Sequence, residues 1–142
     1  MALMADYHDR MIVNSILLVL DGTPSSVQAG RTAVGFAQEH VSKLVILAFG
    51  KREAAGGDIR DSAYLVGEWA QHAGVPCEMS VLRGASCAED IMAEARRRHC
   101  DLVWLPAPAE EGDASACFDA RTAIEVLGKA HVPVMLYRKR AA

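Results

Sequence analysis

Residues Asp101 to Tyr137 read DLVWLPAPAEEGDASACFDARTAIEVLGKAHVPVMLY. Asp101-Leu-Val-Trp-Leu105 is an apolar run of strand length with no alternation. Such a run is buried on both faces, as a strand is inside a parallel sheet with helices on each side. Prolines and acidic residues break the pattern from Pro106 to about Cys117, which marks a loop. From about Phe118 to Lys129 the spacing predicts a helix with Ala123, Val126, Leu127 and Ala130 inward. His131-Val-Pro-Val-Met-Leu-Tyr137 is a second apolar run. Its internal Pro133 lacks a ladder donor and points to a sheet edge or a bulge.

Upstream, the same alternation continues. Ser15-Ile-Leu-Leu-Val-Leu20 and Lys43-Leu-Val-Ile-Leu-Ala-Phe49 are continuous apolar runs, hence buried strands. Between them, Thr23 can cap a helix whose first position is Pro24, where the missing N–H costs nothing. Val27, Gly30, Val34, Ala37 and Val41 define the core face of that helix. A charged, glycine-bearing loop covers 50–57. A helix from about Asp61 to His72 follows, with Ala63, Val66, Ala70 and Ala73 inward and Gly74 as its stop. The segment Val75 to Leu82 alternates and begins beside Pro76, which suits an edge strand. A third helix has Ser86 and Glu89 as a capping box, with Ala88, Ile91, Met92 and Ala95 inward. Arg96, Arg97 and Arg98 favour its negative end. The order is βαβαβαβαβ, which right-handed crossovers make one doubly wound α/β domain. We expect it over 15–138, after an extension at 1–14 and before a basic tail at 139–142.

Composition narrows the function. The chain of 142 residues is 51% hydrophobic and 23% charged, with a formal net charge of −3. That balance argues against a sequence-independent nucleic-acid binder. No apolar run approaches the ~20 residues that span a membrane. The first residues carry acidic side chains and no compact apolar core, unlike a signal peptide, so the expected location is the cytoplasm. Cys77, Cys87, Cys100 and Cys117 form no C-x-x-C pair and no zinc spacing, so no metal is expected. Cys77 and Cys100 read as small buried hydrophobes, and Cys117 as a thiol in or near the loop.

Four strings, in order, resemble those of the universal stress protein family. Val19-Leu20-Asp21-Gly22-Thr23 resembles its V-D-G-S/T after the first strand. Arg83-Gly84, with Ile91 and Ala95, resembles its G-x-P-x-x-x-I-x-x-x-A, with Ser86 in place of the proline and one more residue before Ile91. Asp101-Leu102-Val103 resembles its D-L-I/V. Val126-Leu127 with Ala130-His131-Val132-Pro133-Val134 resembles V-L-R-x-A-P-C-P-V. The resemblance covers about 15–138. It implies a Rossmann-like five-stranded parallel sheet in order 3-2-1-4-5. It also implies a homodimer pairing the last strands, through Val132, Val134 and Leu136. An apolar edge strand independently invites a partner; an edge twisted away, or covered by the N-terminal arm, is the other reading.

ATP-binding members of the family carry G-x-x-G, a spacer, then G-S/T after strand four. Glycines let the backbone approach phosphates, and a helix N-terminus adds partial positive charge. Here Pro106 and Ala109 stand at the first two glycine positions, and Ala120-Arg121 aligns best with the last pair. Pro106 and Pro108 have no N–H to donate. Glu110, Glu111 and Asp113 add negative charge where phosphate charge would lie. Three readings follow for the loop: a solvated surface loop, a partner-binding loop, or retained nucleotide binding. Asp21, Gly22 and Thr23 could still contact a ribose or adenine group, since carboxyl ends of strands line the crevice of such sheets. Equally, Asp21 could only stabilise its own turn.

No catalytic set holds together. His40, His72 and His99 lie near helix C-termini, where imidazolium is favoured without any function. No nucleophile elbow, Walker loop or H-E-x-x-H is present. The expectation is a non-enzymatic regulatory or scaffolding protein without a cofactor, acting as a dimer or with a partner protein. The alternative is a sensor of a nucleotide or other small ligand, using a modified crevice.

Overall fold

A computed structural model of the chain describes residues 12–50, 59–83, 88–107 and 118–138. Strand and helix alternate as the sequence predicts: β1 (Ser15–Leu20), α1 (Pro24–His40), β2 (Lys43–Gly50), α2 (Ile59–His72), β3 (Cys77–Arg83), α3 (Ala88–Arg97), β4 (Leu102–Leu105), α4 (Ala120–Lys129) and β5 (Val134–Leu136). The strands form one parallel sheet in the order β3-β2-β1-β4-β5. This is the order implied by the resemblance, with β3 and β5 at the edges.

The continuous apolar runs are explained by the two faces of the sheet. Successive side chains of a strand point to opposite sides. Ile16, Leu18 and Leu20 turn toward α1 and α2, with Leu44, Ile46 and Trp104 beside them. Leu17 and Val19 turn the other way, with Val45, Leu47 and Val103, toward α3 and α4. Every side chain of β1 is therefore buried. The central strands need apolar residues at every position because neither face meets water.

Local chemistry sets the helix ends. Thr23 is extended and its hydroxyl accepts the Ser26 N–H, so it caps α1 as expected. Gly30 lets α1 and α2 meet closely: a Cβ there would lie 2.7 Å from Cγ2 of Val66. Gly74, at φ +72, follows α2 in a conformation that favours glycine.

Asp101 ties the starts of β1 and β4 together. Its carboxylate accepts the N–H groups of Asn14 and Ser15, each at 2.9 Å, and its own N–H donates to Ser15 O. Val13 is buried, and its carbonyl accepts the Ser42 hydroxyl.

Several core expectations are corrected. Val41 is not on the buried face of α1: it ends the helix at φ +54 and is 90% exposed. The helical stripe is instead carried by Ser26, Ala29, Gly30, Ala33, Val34 and Ala37, with Val27 half-buried. Leu127 points outward on α4, because only Ala123 and Val126 reach the sheet. Cys77 is exposed on the edge strand, whereas Cys100 is buried and its thiol lies 3.6 Å from the Ser15 hydroxyl. Of the capping box named on Ser86 and Glu89, Ser86 lies outside the described residues, while Glu89 is exposed in the first turn of α3, 3.4 Å from Lys129 Nζ.

Candidate functional site

The chain crosses from one half of the sheet to the other between β1 and β4. From β1 it steps to β2 and β3 on one side; β4 and β5 lie on the other. A crevice opens at the carboxyl ends of the strands at such a reversal, and ligands bind there in open α/β sheets. The residues facing this point follow β1 (Asp21, Gly22, Thr23), follow β4 (Pro106, Ala107) and precede α4 (Phe118, Asp119).

Asp21 is buried at 4% exposure. Its Oδ1 accepts the Thr23 hydroxyl at 2.6 Å and the Thr23 N–H at 3.1 Å. The Thr23 hydroxyl in turn accepts Ser26 N–H at 3.2 Å, and the Ser26 hydroxyl donates to Thr23 O at 2.8 Å. Gly22, exposed at φ +84, allows the chain to fold back so that Asp21 reaches Thr23. The sequence Asp-Gly-Thr thus builds a closed turn that also caps α1. The structure brings the three predicted residues together at the mouth of the crevice.

Across the crevice, Pro106 is buried and offers no N–H. Asp119 caps α4: its Oδ1 accepts the N–H and the hydroxyl of Thr122, each at 2.8 Å. The backbone hydrogen bond from Thr122 leads in holding its carboxyl below the usual range. An anionic side chain therefore already sits at the positive end of α4. The sequence carries its signal as Asp119-x-x-Thr122 ahead of the apolar stripe, which the reading of a helix from Phe118 overlooked. Arg121 runs along the helix to Glu125 at 3.6 Å. Ala109, Glu110, Glu111, Asp113 and Cys117, on which the loop expectations rest, lie outside the described residues.

At the far edge, β5 is three residues long and pairs only with β4 among the described residues. Val132 precedes the strand and, like Val134, packs against the α3–α4 side of the core. Leu136 is 42% exposed, and Met135, Ile124 and Leu127 are exposed beside it or on α4. Of the three residues named for a dimer edge, Leu136 lies most open. Met135 is exposed there too, which the sequence reading did not single out.

Another polar cluster, not read from the sequence, joins β3 to α3. Glu94 is only 8% exposed and accepts Ser80, Arg97 and Arg98. Burial pushes its carboxyl up, but the hydrogen bonds from Arg97, Arg98 and Ser80 outweigh burial and lower its pKa. Glu78 receives Lys43 at 2.7 Å and Arg98 at 2.9 Å, and the Lys43 hydrogen bond leads in lowering its pKa. Among the described residues no three His, Cys, Asp or Glu side chains are grouped to hold a metal. Nor, among them, is any helix long and apolar enough to cross a membrane.

This sheet order, with a crevice at the β1–β4 reversal, defines a Rossmann-like α/β domain. The sequence profile of the Universal stress protein family matches residues 13–138, so the chain belongs to that family. Solved structures of the family share the fold. A universal stress protein in complex with cAMP superposes with a TM-score of 0.69 at 14% identity, covering 92% of this chain and all of the other. The universal stress protein UspA from Lactobacillus plantarum gives 0.63 at 20% identity, covering 91% of this chain and all of its own. A universal stress protein from Archaeoglobus fulgidus in complex with dAMP gives 0.64 at 17% identity, covering 90% and 100%.

Proposed function

We propose that this protein is a non-enzymatic regulatory or scaffolding member of the family that does not bind ATP and acts in the cytoplasm through dimerisation or a partner protein. The observation that carries the reading is the Asp119 carboxylate on the N-terminus of α4. A phosphate at that helix end would meet a fixed negative charge, and Pro106 offers it no donor. Among the described residues no histidine, cysteine or serine is set with a base at the crevice, which supports a role without catalysis. The exposed Leu136 and Met135 on the β5 edge support pairing of two copies there.

The test is thermal melting of the purified chain with ATP, ADP, AMP and cAMP. A ligand at 100 times its Kd adds about 2.7 kcal/mol, which is easily seen. The expected result with ATP is no shift, and a strong ATP shift overturns the proposal. Sedimentation of the wild type against Leu136→Lys tests the pairing. A dimer that persists unchanged in the variant removes β5 from the interface.

A second reading keeps the nucleoside half of the crevice. It is favoured by the pre-formed Asp21–Thr23 turn and by two neighbours described as complexes with cAMP and dAMP. On this reading AMP or cAMP raises the melting temperature, ATP does not, and Asp21→Ala abolishes the shift.

A further inference from the structure

At the sheet edge opposite β5, a groove of about 560 Å³ runs between α2 and β3. Its floor includes Ile46 and Ala63, both fully buried. Tyr64 and Glu68 of α2 rise on one side and Met79 of β3 on the other. Tyr64 and Met79 are large side chains left 56% and 37% exposed. Gly67 of α2 leaves this space unfilled. A Cβ there would meet nothing within 4 Å, and Gly67 is not at positive φ. Glycine is unfavourable inside a helix, and neither packing nor backbone geometry requires it here, in contrast to Gly30.

The strand beside the groove is open. Among the described residues β3 pairs only with β2. Leu44 N–H donates to Pro76 O at 2.8 Å. Peptide groups alternate sides along a parallel strand, so those of Glu78, Ser80 and Leu82 bond to β2, and those of Cys77, Met79 and Val81 face outward. The same three residues pair in register with Leu44, Ile46 and Ala48 of the α1–α2 core, so their side chains lie on the groove side. Outward donors and acceptors and an apolar trough therefore share one line of residues. A helix flanking an open strand edge is the geometry in which extended peptides add as an extra strand. Charge completes the match. Glu68 is exposed on the rim and, among the described residues, no cation lines the groove, while Glu78 is already held by Lys43 and Arg98.

We infer that the α2–β3 groove binds an extended peptide segment of a partner protein, which adds as a strand to β3. Its apolar side chains sit over Gly67, and a lysine or arginine sits against Glu68. The inference rests on the reading of the protein as a partner-binding module. It is independent of the crevice at the other end of the strands.

The probe is a displayed library of random octapeptides selected on the full chain. Enriched peptides are expected to alternate apolar residues and to carry Lys or Arg. Gly67→Leu fills the trough with a better helix former, so it keeps or raises the melting temperature and weakens these peptides at least tenfold. Glu68→Lys, a surface change, selectively weakens the basic ones. Peptides that bind both variants as well as the wild type overturn the proposal. So does a groove that takes only an apolar dye, or self-association lost in Gly67→Leu, which makes the occupant a second copy. An ATP-induced melting shift would overturn the proposed lack of ATP binding while leaving the peptide result untouched.

Discussion

The Asp21 carboxylate holds Thr23 twice through one oxygen, Oδ1: the hydroxyl at 2.6 Å and the N–H at 3.1 Å. Because the hydroxyl donates to Asp21, its lone pairs are left for Ser26 N–H at the start of α1. The two residues should act as a unit. Thr23→Ala loses the cap and is expected to cost about 1 kcal/mol. Asp21→Ala should cost about 1–2 kcal/mol, because it unpairs the Thr23 donors near the buried end of β1. Urea unfolding of the double variant should give less than the sum of the single losses. Full additivity would mean the hydrogen bond does not orient the cap.

Acid should destabilise the fold through Glu94 and Glu78. Both pKa values are lowered in the folded chain from 4.5. A depressed carboxyl gives stability that is present above its unfolded pKa and is lost as pH falls through its folded pKa. Urea midpoints should therefore be flat near neutrality and decline below about pH 4.5. Glu94→Gln should lower the midpoint at pH 7, where the charge is paired, and make the acid decline shallower. An unchanged acid slope would exclude Glu94 as a source of the decline.

Val41 carries an avoidable strain. It is a β-branched residue at φ +54, fully on the surface. The left-handed region costs an L-residue roughly 1–2 kcal/mol, which glycine escapes at the expense of its own entropy. Val41→Gly is expected to raise stability by about 0.5–1 kcal/mol, read as a higher melting temperature. A lower melting temperature would show that the Val41 side chain contributes to packing.

Two helical glycines should respond oppositely to alanine. At Gly30 the new methyl meets Val66 at 2.7 Å, so Gly30→Ala is expected to cost about 1–3 kcal/mol, with partial rescue by Val66→Ala. At Gly67 the methyl enters open space, and Gly67→Ala should gain up to about 1 kcal/mol from helix propensity. Equal responses at both sites would contradict the helix contact seen between α1 and α2.

The sequence alone determined the order of elements and the class of sheet. Past their first residues its central runs, 16–20 and 44–49, have no polar positions, and only a strand covered on both faces demands that. Asp21-Gly22-Thr23-Pro24 was also legible, because turn and cap chemistry is local. Four things needed the tertiary structure. Val41 and Leu127 fit a helical stripe, yet Val41 leaves the helix at φ +54, and Leu127, next to buried Val126, falls on the side of α4 turned from the sheet. Cys77 looks like its buried neighbours, but an edge strand has one side uncovered. Glu94 lies 14 residues from Ser80 and pairs with it only when α3 lies against β3. The groove beside Gly67 has no sequence signature at all. A missing side chain becomes a trough only when a helix and an open strand edge are set side by side.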